Sequence, residues 1–194
     1  IFMTHGTYAL VRILLLDALK IMASRSEQEG EIPLYPAPSV ESCMGKVRPI
    51  HFEYPIEIVP NELTATFHHA GHILGAASLS LASSQGSILI SGDISVADQR
   101  TLPGMLVPKV RPDVVVMEST YGDRLHAHRP TQEGNLVRTV ADVIEGLGKV
   151  IIPAFAVGRA QEVIILLQQA MARKEIPRFP VYVDGMVRTV CAAY

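Results

Sequence analysis

Apolar residues recur at helical spacing over residues 7–23, where Leu10, Ile13, Leu14, Leu16, Ala18 and Ile21 share a face and Thr7 stands at the N-cap position. The pattern predicts a core-facing helix. Residues 27–38 turn polar and carry Gly30, Pro33, Pro36 and Pro38, which reads as a surface excursion, with a short helix predicted over 39–46. From Ile50 the period shortens to that of strands, predicted over 51–54, 56–59 and 63–67 and broken by Pro55 and Pro60. Two alternating runs, 77–82 and 87–91, flank Ser84-Gln85-Gly86 and are predicted to pair antiparallel. A proline-bearing linker, 94–112, leads into Val114-Val115-Val116-Met117, a continuous apolar run of the kind found in strands buried on both faces. After a polar crossing at 123–130 the pattern becomes helix (131–147), strand (150–153), helix (158–173), strand (181–183) and the start of a helix. Such alternation predicts a parallel sheet with crossover helices, so the fold class is α/β.

Chemistry collects at the ends of these elements. The stretch His68-His69-Ala70-Gly71-His72-Ile73-Leu74-Gly75 sets imidazoles beside glycines, and the strand ending at Ser91 is followed by Gly92-Asp93. Neutral imidazole and carboxylate are both zinc ligands, and glycine leaves the backbone thin enough for substrate to approach. The apolar run at 114–117 likewise exits into an acid, Glu118. Strands lying side by side bring their ends together, so His72, Asp93 and Glu118 are predicted to converge, and a metal-dependent hydrolase is the leading reading. Each residue also has a plainer role. His72 would then be a loop histidine bonded to backbone, Asp93 a turn former, and Glu118 a cap for the turn through Ser119 and Thr120. His69 is expected to orient the loop, His68 to face solvent, and His5, His126 and His128 to lie at the surface.

A second constellation, Gly158-Arg159-Ala160-Gln161-Glu162, opens a helix straight after a strand. Free amides at a helix start, with a guanidinium beside them, suit a phosphate, so Arg159 is a candidate contact to an RNA backbone. Pairing of Arg159 with Glu162, or with a carboxylate across a domain boundary, is the equal alternative.

Composition narrows the setting. Hydrophobic residues make up 48% of the 194 positions and charged ones 19%, which excludes a disordered chain, and the net charge of −2 offers no global attraction for nucleic acid. Any such partner must be held locally. Arg12 and Asp17 interrupt the apolar run near the start, so no membrane span is expected. Cys43 and Cys191 lack metal-ligand spacing, and reduced thiols in a cytoplasmic protein are the expectation. The chain opens without a methionine and stops within a helical pattern, which reads as an interior piece of a longer protein.

Four ordered motifs now resemble one family. His69-Ala70-Gly71-His72-x-Leu74-Gly75-Ala76, Gly92-Asp93, Glu118-Ser119-Thr120-Tyr121-Gly122, and Ile152-Pro153-x-Phe155-Ala156-x-Gly158-Arg159-Ala160-Gln161-Glu162 follow the order seen in metallo-β-lactamase-fold nucleases of the β-CASP group. The resemblance implies part of a metallo-β-lactamase αββα sandwich over 1–122, followed over 123–194 by the start of an inserted β-CASP α/β domain with a parallel sheet. It implies that His72 ligates one zinc, that Asp93 bridges two, and that Glu118 orients a histidine near the scissile phosphate. The implied activity is zinc-dependent cleavage of single-stranded RNA by an endonuclease or 5′ exonuclease, with homodimerisation left open. The HxHxDH signature that supplies most zinc ligands would lie before residue 1, so the chain alone is expected to bind zinc weakly and to be inactive. The competing class is a non-catalytic subunit of the same fold that binds RNA or a partner. A small-molecule hydrolase of the wider superfamily is disfavoured by Glu118 and by the second half of the chain.

Overall fold

Thr4, not Thr7, starts the first helix. Its hydroxyl accepts the Thr7 amide at 3.2 Å, so helix α1 begins one turn earlier than its apolar stripe suggests and runs His5–Glu29. Ahead of it a short strand, β1 (Phe2–Thr4), pairs in parallel with β2 (Arg48–Ile50). Between them lie the polar excursion and helix α2 (Ala37–Met44), as expected. Only Leu10 of α1 is fully buried, while Leu14, Leu16 and Ile21 remain about half exposed. The computed structural model describes all residues, 1–194.

The main sheet has five strands in the order β3 (Ile56–Val59), β4 (Leu63–His69), β5 (Ala77–Ser83), β6 (Gly86–Ile90), β7 (Val114–Val116). Strands β3 to β6 are antiparallel neighbours, and β7 adds in parallel to β6. The predicted hairpin about residues 84–86 is therefore β5–β6. Because β4 and β6 both oppose β5, and β7 follows β6, the C-terminal ends of β4, β6 and β7 all emerge at one rim. Backbone pairing alone thus positions the three loops that hold His72, Asp93 and Glu118.

Helices α3 (Arg129–Glu145) and α4 (Arg159–Ala172) pack around Val140, Leu167, Ala170 and Ile176, the largest buried apolar cluster. A short helix, α5 (Val187–Cys191), touches both α1 and α4 and so joins the two halves of the chain. No helix is long and apolar enough to cross a membrane.

Three local expectations change. Residues 51–54 form a turn, with Glu53 at φ 60°, whose amide donates to the Phe67 carbonyl at 2.8 Å. Strand β7 is at the edge of the sheet with all three valines about half exposed, so an apolar run that suits two-sided burial is here uncovered. Residues 150–153 and 181–183 form no ladder, and Ile151 and Tyr182 are each 90% exposed. A strand is defined by a bonded neighbour, and neither segment pairs with another strand within these 194 residues. The parallel pairing of this α/β chain is found instead in β1–β2 and β6–β7.

Candidate active site

The loop after β4 is closed by the Ala70 amide, which donates to the Ala76 carbonyl at 3.2 Å, and by the Ala76 amide, which donates to that of Ile73 at 2.9 Å. Two glycines make this turn physically feasible. Gly71 has φ 70° and Gly75 φ 82°, and a Cβ on either would stand 2.3 Å from the Met105 nitrogen or 2.1 Å from the Thr7 nitrogen. The space they leave is filled by the chain's own backbone: residues 95–105 on one side and the start of α1 on the other. Thr4 and Thr7 both donate their hydroxyls to the Gly75 carbonyl, at 2.7 and 3.0 Å, which locks the loop to the α1 N-terminus.

At the rim, His72 Nε2 stands 3.8 Å from Asp93 Oδ2, with the two side chains 44% and 73% exposed. Both line an open cleft of about 300 Å³, together with Thr7, Leu10, Ile73 and Val157. Glu118 is set behind Asp93. Its Oε1 accepts the Ile94 amide at 2.8 Å, and its own amide donates to Ser91 Oγ at 3.0 Å. The Ile94 amide and then the Thr120 hydroxyl hold the Glu118 carboxyl below the usual glutamate range, with His72 adding a smaller electrostatic pull in the same direction. The three residues singled out at strand ends are therefore gathered at one place.

The donor set suits zinc. Two ligands of one tetrahedral ion, each at about 2.0 to 2.1 Å, stand roughly 3.3 Å apart, so the imidazole and carboxylate need only a small side-chain adjustment to share an ion. No group of three or more His, Cys, Asp or Glu side chains converges on one point, so His72 and Asp93 form an incomplete ligand set within these 194 residues.

The other histidines fall into distinct roles. His69 Nδ1 accepts the Gly71 amide at 3.2 Å, so it shapes the loop that carries His72. His68 does not face solvent as expected. It is 3% exposed, with Nδ1 2.8 Å from Glu53 Oε2 and Nε2 2.9 Å from Ser80 Oγ, a polar bridge across β4 and β5. His5 packs against His51, and His126 against Tyr121, while His128 bonds Thr131.

Arg159 is exposed at the start of α4 and takes part in none of the chain's ion pairs. The pairing with Glu162 does not form. Glu162, with a side chain 4% exposed, instead accepts the Arg100 and Thr101 amides at 2.9 and 2.8 Å and the Thr101 hydroxyl at 2.6 Å, and pairs with Arg129. Burial pushes its carboxyl up, but these donors outweigh burial and leave it lowered. Glu133 completes the network by accepting from Arg100 and Arg129. Sequence reasoning missed this cross-link between the 94–112 segment and the helical layer, although the four-residue spacing of Arg129 and Glu133 is a readable helix pair. Also missed was Tyr194, whose hydroxyl accepts the Leu74 amide at 3.2 Å.

No family model matches the chain. It is 35% identical over 182 residues to Integrator complex subunit 11 of Danio rerio, which covers 94% of this chain and 30% of that protein. It is 33% identical over 193 residues to Cleavage and polyadenylation specificity factor 73 of Drosophila melanogaster, covering 99% of this chain and 27% of that protein. With Endoribonuclease YSH1 of Yarrowia lipolytica it shares 31% identity over 194 residues, 100% of this chain and 23% of that protein. The chain thus spans under a third of the length of these curated relatives. Matched along nearly its whole length, and with the mixed α/β architecture and ordered motifs described above, it belongs to the β-CASP group of the metallo-β-lactamase family.

Proposed function

We propose that the protein carrying this chain is a zinc-dependent ribonuclease that hydrolyses RNA phosphodiester bonds. The observation that supports the reading is the approach of His72 to Asp93 at a rim shared with Glu118. RNA as substrate is supported by relatives named an endoribonuclease and a cleavage and polyadenylation factor. On this reading residues 1–122 belong to the metallo-β-lactamase domain and 123–194 open the β-CASP domain. The cleft is lined from both parts, by His72 and Asp93 on one and Val157 on the other, and its proposed occupant is single-stranded RNA. Two unpaired thiols fit a reducing, cytoplasmic setting.

Within that reading each side chain has a task. His72 would hold one ion through its neutral imidazole, and Asp93 has two oxygens with which to span a pair. Bound zinc supplies Lewis acidity toward the phosphate and acidifies the attacking water. Glu118, fixed by the Ile94 amide and kept ionised, would orient a histidine near the scissile phosphate. Arg159, unpaired and exposed, meets the RNA backbone.

Zinc content and cleavage of end-labelled RNA, measured on the intact protein and its Asp93→Ala variant, test the proposal. Loss of cleavage by at least a hundredfold with loss of zinc is the expected result, since one ligand serves both ions. Equal activity of the two proteins overturns it. The competing reading, a non-catalytic RNA- or partner-binding subunit, predicts RNA binding without zinc or cleavage by the intact protein, and the approach of His72 to Asp93 favours catalysis over it.

A further inference from the structure

We propose that Gln99 is a positioning residue for His72, and that it carries the docking of the helical layer to the metal-ligand loop. The inference rests on His72 being a zinc ligand. The side-chain Nε2 of Gln99 donates to the Gly71 carbonyl at 2.6 Å and to the His72 carbonyl at 2.7 Å, so both of its hydrogens are spent on the two peptide units that aim the imidazole. Thr4 and Thr7 hold loop 70–76 at the Gly75 carbonyl and His69 holds it at the Gly71 amide, and Gln99, from outside the loop, fixes the carbonyls of Gly71 and His72 themselves.

Gln99 is itself held on both sides. Its own amide donates to the Leu102 carbonyl at 2.8 Å, and upstream the Ser95 amide donates to the Ala70 carbonyl at 2.9 Å. Immediately downstream, the Arg100 and Thr101 amides are gripped by the Glu162 carboxylate of α4, and the Arg100 guanidinium by Glu133 of α3. A shift of the α3–α4 layer moves residues 100 and 101, and one residue further along the chain it moves Gln99. A continuous bonded path therefore runs from Glu162 through Arg100 and Gln99 to the His72 backbone. The docking of the α3–α4 layer thus sets the orientation of a ligand.

The test uses zinc alone and cobalt(II) alone as probes of the intact protein. Gln99→Leu keeps the volume and removes both donors, and it is expected to weaken zinc binding about tenfold to a hundredfold, the range seen when a group that orients a ligand is lost. It should also alter the visible ligand-field spectrum of the cobalt-substituted protein and lower kcat while KM for RNA stays near wild type. Gln99→Asn, one methylene short of bridging both carbonyls, should show the same changes to a smaller degree and serves if the leucine variant does not fold. Wild-type zinc affinity and cobalt spectrum in a folded Gln99 variant, beside an Asp93→Ala that loses zinc, overturn the positioning role and leave the metal site standing. Wild-type zinc affinity in both variants overturns the site and the positioning role together.

Discussion

Arg159 and Glu162 stand three positions apart on one helix and would satisfy each other in isolation, yet the fold separates them. Glu162 is drawn inward by two backbone amides and Arg129, and a carboxylate with that many donors gains nothing from a further exposed guanidinium. Arg159 is left facing solvent beside Gly158, where the helix starts against Ile73 of the His72 loop. If it meets a phosphate, Arg159→Ala in the intact protein should weaken RNA binding and lower the salt dependence by about one counterion, with thermal stability unchanged. Binding titrations at several salt concentrations check this, and an unchanged slope would remove Arg159 from the RNA surface. His68 shows the opposite displacement: an imidazole in a polar run is buried because Glu53 and Ser80 each meet one ring nitrogen. Replacing it with alanine leaves Ser80 without that partner and opens a cavity, at a cost of about 1 to 3 kcal/mol readable in a urea midpoint.

At the scale of elements, the loop between β4 and β5 is the part on which the site most depends, and it has little tolerance. Gly71→Ala would have to place its Cβ 2.3 Å from the Met105 nitrogen and 2.4 Å from the Ser95 carbonyl while holding φ 70°. Backbone on both sides cannot retreat as a flexible side chain would. A loss of about 2 to 4 kcal/mol is expected, with the β4–β5 loop losing hydrogen-exchange protection first. In the sequence the glycines read as room for a ligand, and the motif was recognisable for that reason. Which neighbour fills the room lies outside any local pattern, because the contacts come from residues 6–7 and 95–105. The strand predictions divide along the same line. The β5–β6 hairpin was legible because the turn at residues 84–86 and its flanking alternation are local. The segments at 150–153 and 181–183 have strand-like composition but no partner beside them, and partners are a property of the tertiary arrangement.

Across the molecule, acid stability should be set by carboxylates held below their ordinary range: Glu118 by the Ile94 amide, Glu133 by Arg100, and Glu162 by Thr101 and Arg100 against its burial. Because their folded pKa values are depressed, these groups add stability that is fully present above the unfolded carboxylate pKa of about 4.3 and is lost as pH falls through the folded values. The thermal midpoint should hold steady from neutral pH down to about 5 and then drop, and it should drop less steeply in Glu162→Gln, which has one such group fewer. A midpoint equally steep in the variant would show that the α3–α4 network is not what acid breaks. The 194-residue chain on its own should bind zinc only weakly and leave RNA intact, because His72 and Asp93 are two donors where zinc takes four. Tight stoichiometric zinc on the purified chain would contradict that expectation.

The sequence by itself determined the α/β class, the family and the identity of the rim residues, because strand-end positions, turn residues and motif order are written locally along the chain. The tertiary structure alone decided that β4, β6 and β7 run in one direction and so deliver His72, Asp93 and Glu118 to the same edge. It also decided that Glu162 grips residues 100 and 101 in place of Arg159, and that Gln99 spans the carbonyls of Gly71 and His72. These are contacts between residues 27 to 62 positions apart, and no periodicity encodes which distant donor reaches which acceptor.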